Sequence, residues 1–259
     1  MPRCTAGPRT AARRAAAASL RSSAPPFFDD ANRRLVRDGA CPPACTHAIG
    51  GFPAVKLAEP LQADEVHVWR LCRPADSGRG PLQALLARYL GIDAADVRLV
   101  EGGHGRPALD ACHGDTLDFN WSHSGEQALV ALAQGITLGI DLERQRRRAN
   151  ALGIARRFFT RGEADWLATL DEEARSTAFL ALWTAREAVL KALGHGLAFG
   201  LDRLSFDYGA EGLVLRQLDG DDPVLWQLHS LDCGDDVLAA LAWRGAPRRI
   251  RTFMLADGD

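Results

Sequence analysis

The most constraining feature of this 259-residue chain is a long amphipathic pattern between Thr177 and Leu193. Apolar residues recur there at intervals of three and four, which predicts one buried stripe along an α-helix. Gly194 follows the last apolar position, and glycine is the residue that most often ends a helix. Glu187 and Lys191 are four residues apart, so this helix places a carboxylate and an ammonium group side by side on one flank.

Arg186 interrupts the apolar pattern of this helix. Its side chain projects from the same side as Phe179, Trp183 and Leu190, where a charge is costly unless an anion neutralises it. Local rules are most often broken at functional sites. Arg186 is therefore a candidate for binding an anionic ligand.

A second pattern, from Ile136 to Glu143, predicts a β-strand. Isoleucine and leucine occupy alternate positions, so Asp141 and Glu143 point to the opposite face, beside Gly139, which has no side chain. Together with Glu187 they provide three carboxylates of the kind that Mg²⁺ takes, with waters and substrate phosphates completing the shell. The alternative is a solvated edge strand and a surface Glu187–Lys191 ion pair, since both are common.

A glycine-rich turn lies upstream of this strand. Glycines at positions 102, 103 and 105 allow the backbone to approach a ligand closely. Arg106, followed by Pro107, offers a planar guanidinium group that suits a phosphate. Taken alone, the segment favours an ordinary glycine-rich surface turn.

A short strand with alternating apolar and polar residues runs from Phe119 into Ser122, His123 and Ser124. The hydroxyls and the imidazole at its end can bind a phosphate, although a lone Ser-His pair is more often simple turn chemistry. The sequence contains no Gly-x-Ser-x-Gly motif, so a serine hydrolase is not indicated.

These four motifs, in this order, resemble the signatures of the 4'-phosphopantetheinyl transferases. Residues 105–109 are similar to Gly-Lys-Pro-x-Leu, and residues 119–124 to Phe-Asn-x-Ser-His-Ser. Residues 139–143 and 183–197 resemble the pair Gly-Ile-Asp-Leu-Glu and Trp-Thr-Ala-Arg-Glu-Ala-x-x-Lys-Ala-x-Gly-x-Gly-Leu. The resemblance covers about residues 96 to 200 and points to the two-lobed, monomeric type exemplified by the surfactin-synthetase activator.

The resemblance implies an α+β fold of two pseudo-symmetric lobes, each made of antiparallel strands plus a long helix, with the ligand between them. It implies an enzyme that moves phosphopantetheine from coenzyme A to a serine of an apo acyl carrier or peptidyl carrier protein. Such a reaction uses Mg²⁺ and releases adenosine 3',5'-bisphosphate. The expected setting is a cytoplasmic monomer without nucleic acid or membrane partners.

The resemblance also assigns roles to single residues. Asp141, Glu143 and Glu187 are expected to hold the metal ion. Glu187 is expected to take the proton from the carrier serine, directly or through a water. Lys191 is expected to stabilise or protonate the departing nucleotide. The expected contacts to coenzyme A are Arg106, Pro107, Ser122, His123, Asp141, Arg186 and Lys191. Arg186 stands where the family usually has lysine, which keeps the charge but changes the geometry.

The chain is expected to divide into three parts. We expect residues 1–60 to form a disordered or loop-rich leader. Residues 61–135 are expected to form an N-terminal lobe, and residues 136–259 a C-terminal lobe. A hairpin formed by residues 128–133 and 136–143 is predicted to join the two lobes. The net charge of −2 gives no overall attraction to nucleic acid or to an anionic membrane.

The first lobe departs from the family pattern, which places an additional basic helix after the first strand. This chain has only residues 72–80 there, with Arg70, Arg73 and Arg79 as candidate replacements for the missing cations. The arginines at positions 144 and 146–148 could dock an acidic carrier protein or could form a solvated face. Two other functions stay open: a relative that only binds coenzyme A or the carrier protein, and an Mg²⁺-dependent phosphohydrolase.

Overall fold

The structure is a computed structural model that describes residues 52, 54–55, 59–73, 77–146, 148–209, 212–234 and 236–255. Nearly all of the predicted leader therefore lies outside the described residues. The described part of the chain has an α+β fold, as predicted. None of its helices combines the length and the apolar character needed to cross a lipid bilayer.

Twelve strands and four α-helices make up the described part of this fold. The helices are α1 (Gly80–Leu90), α2 (Ala151–Phe158), α3 (Arg161–Thr169) and α4 (Glu172–Leu193). The first six strands are β1 (Ala54–Val55), β2 (Glu65–Cys72), β3 (Leu99–Glu101), β4 (Pro107–Leu109), β5 (Leu117–Ser124) and β6 (Gln127–Gln134). The last six are β7 (Leu138–Arg144), β8 (Leu204–Gly209), β9 (Gly212–Leu218), β10 (Trp226–Asp232), β11 (Val237–Arg244) and β12 (Arg249–Leu255).

Most of the strands belong to two sheets. The first has five strands in the order β1–β12–β2–β6–β5, and the second has three in the order β10–β11–β7. The pairs β3–β4 and β8–β9 form separate two-stranded sheets. Most neighbours are antiparallel, but β12 runs parallel to both β1 and β2.

The core lies in four layers. Helix α1 packs on one face of the five-stranded sheet, against Trp69 and Phe253. The other face of that sheet packs against the three-stranded sheet through residues that include Val68 and Ile140. Helix α4 covers the outer face of the three-stranded sheet, where Ala240 and Ala242 belong to its core cluster. Small alanines on β11 let the helix lie close to the sheet, which places α4 beside β7.

Local signals set the ends of the helices. Helix α4 ends at Gly194, which adopts the left-handed conformation with φ 71°, as predicted. Its start is earlier than the predicted Thr177, because the Asp171 side chain accepts a hydrogen bond from the Ala174 amide and caps the helix there. Thr160 and Glu163 form the predicted capping box at the start of α3.

One long-range prediction was wrong. The segments around 128–133 and 136–143 do not pair with each other: β6 pairs with β2 and β5, whereas β7 pairs with β11 in the other sheet. The last strand, β12, pairs with β2 and so belongs to the first sheet, while the predicted boundary between the lobes at residue 136 stays a prediction. Which strand edges meet is not encoded by the local alternation of residues.

A buried polar chain ties β2 to α1. His67 is fully buried, with Nδ1 lying 2.7 Å from the Tyr89 hydroxyl and Nε2 lying 3.2 Å from the Glu65 carboxylate. Trp69 donates its indole N–H to the same hydroxyl at 2.7 Å. Burial lowers the pKa of His67, and the neighbouring Glu65 carboxylate only partly opposes this effect.

We expect this arrangement to make stability depend on pH between about 5.5 and 7.5. An unfolded chain protonates the imidazole near pH 6.5, whereas the folded protein does so only at lower pH, so the free energy of unfolding falls as pH drops below about 6.5. One proton gives a slope of at most about 1.4 kcal/mol per pH unit.

Urea denaturation of the wild type and of His67→Gln across this pH range checks the expectation. His123 and His229 also have lowered pKa values, so the relevant quantity is the difference between the two proteins. Arg251 and Glu59 are the other charged groups that act on His67, and both remain in the variant. Parallel pH profiles for the two proteins would show that His67 is not the source.

Candidate active site

Helix α4 lies directly on strand β7 at Gly139. A β-carbon at this position would lie 2.0 Å from the Ala188 carbonyl oxygen and 2.6 Å from the Ala192 amide nitrogen. Glycine alone permits such an approach between two backbones. The contact brings Asp141 and Glu143, on the face of β7 that carries Gly139, to the flank of α4 that carries Glu187 and Lys191.

Lys191 connects the helix to the strand. Its Nζ donates to Asp141 Oδ1 at 2.8 Å and to the Ile140 carbonyl oxygen at 3.0 Å. Ser122 of β5 donates its hydroxyl to the same Asp141 oxygen at 2.7 Å. Asp141 is thus held from α4 on one side and from the first sheet on the other.

Glu143 and Glu187 complete an acidic cluster with Asp141. Glu143 lies 3.3 Å from the Arg148 guanidinium and accepts from the Ser124 hydroxyl at 3.5 Å. Burial, followed by the negative charge of Asp141, raises the pKa of Glu187; Glu143 adds to this effect and Lys191 opposes it. Asp141 and Glu143 therefore both act electrostatically on Glu187.

The donor chemistry of this cluster fits a hard divalent cation, because it consists of carboxylate oxygens. Within the described ranges, however, no three His, Cys, Asp or Glu side chains are grouped closely enough to hold a metal ion. In this structure Asp141 Oδ1 is paired with Lys191 and Ser122, and Glu143 with Arg148. The residues have the right chemistry for such a cation, and two of the three carboxylates have side chains of the protein as partners.

Cationic side chains lie next to this cluster on the first sheet. Burial, and then the positive charges of Arg73 and Lys191, lower the pKa of His123. The Arg73 guanidinium lies 5.9 Å from the centre of the Trp121 ring, which in turn lies 5.4 Å from the His123 ring. Arg73 and Lys191 therefore place positive charge around His123, which suits the binding of a phosphorylated ligand.

The three candidate replacement cations have different surroundings. Arg70 donates to the Cys233 carbonyl oxygen at 2.7 Å and to Gln127 at 3.0 Å, so its guanidinium is engaged. Arg79 is exposed and precedes α1. Only Arg73 of the three lies beside the Ser122-His123 motif.

The guanidinium group of Arg106 is engaged within the protein. It donates to the carbonyl oxygens of Leu138 at 2.8 Å, Lys191 at 2.6 Å and Phe119 at 3.0 Å, and to Asp118 at 2.8 Å. Pro107 is buried at the start of β4. This placement argues against the predicted phosphate contacts at both positions, because the donors of Arg106 are used to join β5, β7 and α4.

Arg186 also departs from its predicted role. The side chain is 0% exposed and forms a salt bridge with Glu163 of α3. It donates to the carbonyl oxygens of Leu182 and Leu201 at 3.2 and 3.1 Å, and its guanidinium carbon lies 3.9 Å from the centre of the Phe159 ring. The anion that neutralises Arg186 is therefore a carboxylate of the protein, and a phosphate contact is not supported.

Sequence reasoning assigned no role at this site to Asp118, Asn120 or Arg148. Asp118 and Asn120 belong to a polar alternation with Ser122 and Ser124, a signal that could have shown that one whole face of β5 is polar. Arg148 was considered only as part of an arginine run, and its pairing with Glu143 depends on how the chain returns after β7. No local pattern indicates that return.

The described residues form an α+β fold with several antiparallel sheets and four α-helices, and comparison with known proteins shows the class of protein. The 4'-phosphopantetheinyl transferase superfamily profile matches residues 137–242. A Synechocystis sp. protein named "Putative 4'-phosphopantetheinyl transferase" is 33% identical over 208 residues, which cover 75% of this chain and 82% of that protein.

Two further relatives agree. The 4'-phosphopantetheinyl transferase Sfp of Bacillus subtilis is 29% identical over 172 residues, covering 65% of this chain and 74% of Sfp. The human L-aminoadipate-semialdehyde dehydrogenase-phosphopantetheinyl transferase is 26% identical over 211 residues, covering 74% of this chain and 68% of that protein. The chain belongs to the 4'-phosphopantetheinyl transferase superfamily and is an enzyme of that family.

Proposed function

We propose that this enzyme transfers the 4'-phosphopantetheine moiety from coenzyme A to a serine of an apo acyl carrier or peptidyl carrier protein, with Mg²⁺, releasing adenosine 3',5'-bisphosphate. The observation that carries the proposal is the close packing of α4 on β7 at Gly139, which joins the acidic cluster to Lys191. We further propose a cytoplasmic monomer as the working form, in line with the type that its motifs resemble.

In this proposal Asp141, Glu143 and Glu187 would hold the metal ion. A divalent cation bound there supplies charge neutralisation to the diphosphate of coenzyme A. Glu187 accepts the proton of the carrier serine, directly or through a water. A carboxylate at this position is a suitable proton acceptor, because it lies half-buried on the flank of α4 beside Lys191 and Asp141.

Lys191 has two tasks in the proposed reaction. Its ammonium group neutralises Asp141, at a distance of 2.8 Å from Oδ1. With coenzyme A bound, it stabilises the negative charge that develops on the departing nucleotide. A lysine suits this exchange of partners because its ammonium group ends a flexible stem and can turn from one anion to another.

Ser122, His123 and Arg73 are the proposed first-sheet contacts to the phosphates of coenzyme A, with Asp141 beside them. The support is the cluster of positive charge that Arg73 and Lys191 form around His123. Arg73 takes the part that the additional basic helix plays in the family pattern. It replaces Arg106 and Arg186, whose guanidinium groups are used within the protein.

The test is to incubate the protein with coenzyme A, Mg²⁺ and an apo carrier protein and then to determine the mass of the carrier. A gain of one phosphopantetheine per carrier, lost with a chelator and restored by Mg²⁺, supports the proposal. Binding of coenzyme A or carrier without any gain in mass supports a relative that only binds. Hydrolysis of coenzyme A without transfer supports a phosphohydrolase.

Gly139→Ala is expected to damage both stability and transfer. The added methyl group meets backbone atoms, which cannot rotate away, so α4 must move off β7. We expect the free energy of unfolding to fall by about 1–3 kcal/mol and transfer to slow by about 10²-fold, because Glu187 and Lys191 move relative to Asp141.

Gly162→Ala is the matched control for this substitution. Gly162 lies in helix α3, where an added β-carbon would have no heavy atom within 4 Å, so alanine there is expected to preserve or raise stability. Chemical denaturation and the carrier assay at a temperature where both variants are folded give the two readouts. Equal transfer by the two variants would contradict the close contact at Gly139.

A further inference from the structure

Strand β5 contacts strand β7 through side chains. The Leu138 amide donates to Asp118 Oδ2 at 3.1 Å, the Ile140 amide to Asn120 Oδ1 at 2.8 Å, and the Arg144 amide to the Ser124 hydroxyl at 3.3 Å. In each case the acceptor lies 20 positions before the donor. The constant offset means that the two strands run parallel and in register along this seam.

This seam supplies acceptors to three N–H groups on the edge of β7 that does not pair with β11. One edge of the strand pairs with β11, and the other would present unpaired N–H groups at Leu138, Ile140 and Arg144. Side-chain oxygens of β5 accept these N–H groups, where a neighbouring strand would normally offer backbone carbonyl oxygens. The accepting side chains, called here the rungs of the seam, are Asp118, Asn120 and Ser124. The first sheet therefore determines where β7 lies along its own axis, and with it the position of Asp141 and Glu143.

Asn120 is the central rung. Its side chain is 3% exposed and its oxygen is engaged by the Ile140 amide, so it is placed for a structural contact and not for a ligand. Ile140 precedes Asp141, and the Ile140 carbonyl oxygen accepts a hydrogen bond from Lys191 at 3.0 Å. One residue of β7 is thus held by Asn120 on its amide and by Lys191 on its carbonyl.

We propose that Asn120 is a positioning residue of the transfer reaction, which sets the register of β7 so that Asp141 and Glu143 meet Glu187 and Lys191. The expected effect of Asn120 on the rate of transfer rests on the proposed function. Its expected effect on the position of β7 rests on the seam alone. Asn120 acts through Ile140 and Asp141 and contacts neither coenzyme A nor the carrier.

Three variants test the proposal. Asn120→Leu keeps the approximate shape and removes the acceptor. Asn120→Asp keeps the acceptor, and the Asp118 rung shows that a carboxylate can occupy such a position. Gln227→Leu is the matched control, because it also removes one hydrogen bond of a side-chain amide, the one that Gln227 donates to the Gly245 carbonyl oxygen at 3.2 Å. Gln227 lies on β10, the strand farthest from β7 in the three-stranded sheet.

We expect Asn120→Leu to lower kcat at least about tenfold, with KM for coenzyme A within about threefold of the wild-type value, and to raise the Mg²⁺ concentration needed for half-maximal rate. Hydrogen exchange at the Ile140 amide should accelerate at least about tenfold. Asn120→Asp should recover most of the lost kcat, and Gln227→Leu should change none of these values.

Two results would overturn the proposal: unchanged exchange at Ile140 in Asn120→Leu, or faster exchange with kcat unchanged. The second result would make the seam a purely structural contact. If the wild-type enzyme modifies no carrier, the proposed function fails by itself. Exchange at Ile140 and the affinity of the protein for Mn²⁺, compared between wild type and Asn120→Leu, then decide whether Asn120 positions the carboxylates.

Discussion

Replacing Glu187 with Gln is expected to slow modification of the carrier protein by about 10³-fold or more, since removal of a general base costs about 10²–10⁴-fold and loss of a metal ligand adds to it. The substitution is close to isosteric and removes only the charge. The fold should persist, because burial and the charges of Asp141 and Glu143 disfavour the ionised form of this side chain. A neutral amide relieves that repulsion.

Two partner variants extend this test. Asp141→Ala and Lys191→Ala are each expected to abolish carrier modification, because they remove one half of the 2.8 Å ion pair that joins β7 to α4. Glu173→Gln serves as control, since Glu173 is an exposed carboxylate in the first turn of the same helix. Initial rates of carrier modification and thermal unfolding are the measurements. Wild-type rates in any of the three site variants would remove that residue from its proposed role.

Arg186→Leu is expected to lower the free energy of unfolding by about 3–5 kcal/mol, because it leaves the buried carboxylate of Glu163 without its partner. Glu163 is held in place by several other contacts: it caps α3 at Thr160 and accepts the Phe206 amide at 2.9 Å. The carboxylate therefore cannot turn to solvent when its partner is lost. A loss of this size is a large fraction of the total stability of a typical domain.

Arg186→Lys separates charge from geometry at this position. Lysine restores a cation beside Glu163, but one ammonium group cannot replace the planar fork that also donates to Leu182 and Leu201. We expect a stability between those of wild type and Arg186→Leu. Urea denaturation gives the free energies. An Arg186→Leu protein that keeps wild-type stability but has a raised KM for coenzyme A would restore the predicted phosphate contact.

Several features of this fold and site could be predicted because their causes are local. Glycine and capping residues end or begin helices through their own backbone or side-chain chemistry, as at Gly194 and Thr160. Strand alternation correctly placed Asp141 and Glu143 on one face, beside the glycine that α4 approaches. The motifs around these residues indicated the family through their order and spacing alone.

The hydrogen-bond and ion-pair partners of the arginine side chains could not be predicted in the same way. Arg106 and Arg186 each carry the positive charge that a phosphate-binding residue needs. Both nevertheless donate to oxygen atoms of the protein itself. A guanidinium group reaches several ångströms from its backbone and accepts any anion or carbonyl oxygen within that reach as a partner. Its partner depends on which elements pack around it, and those elements come from distant parts of the chain.

The sequence alone determined the helix that carries Glu187 and Lys191, the strand that carries Asp141 and Glu143, and the family, because periodicity, capping and motif spacing are properties of neighbouring residues. Only the tertiary structure decided that β7 pairs with β11 and not with β6, that β12 returns to the first sheet, and that Asn120 supports Ile140. The physical reason is that a strand edge offers the same N–H and C=O groups to every candidate partner, so the choice is made by the packing of the whole chain.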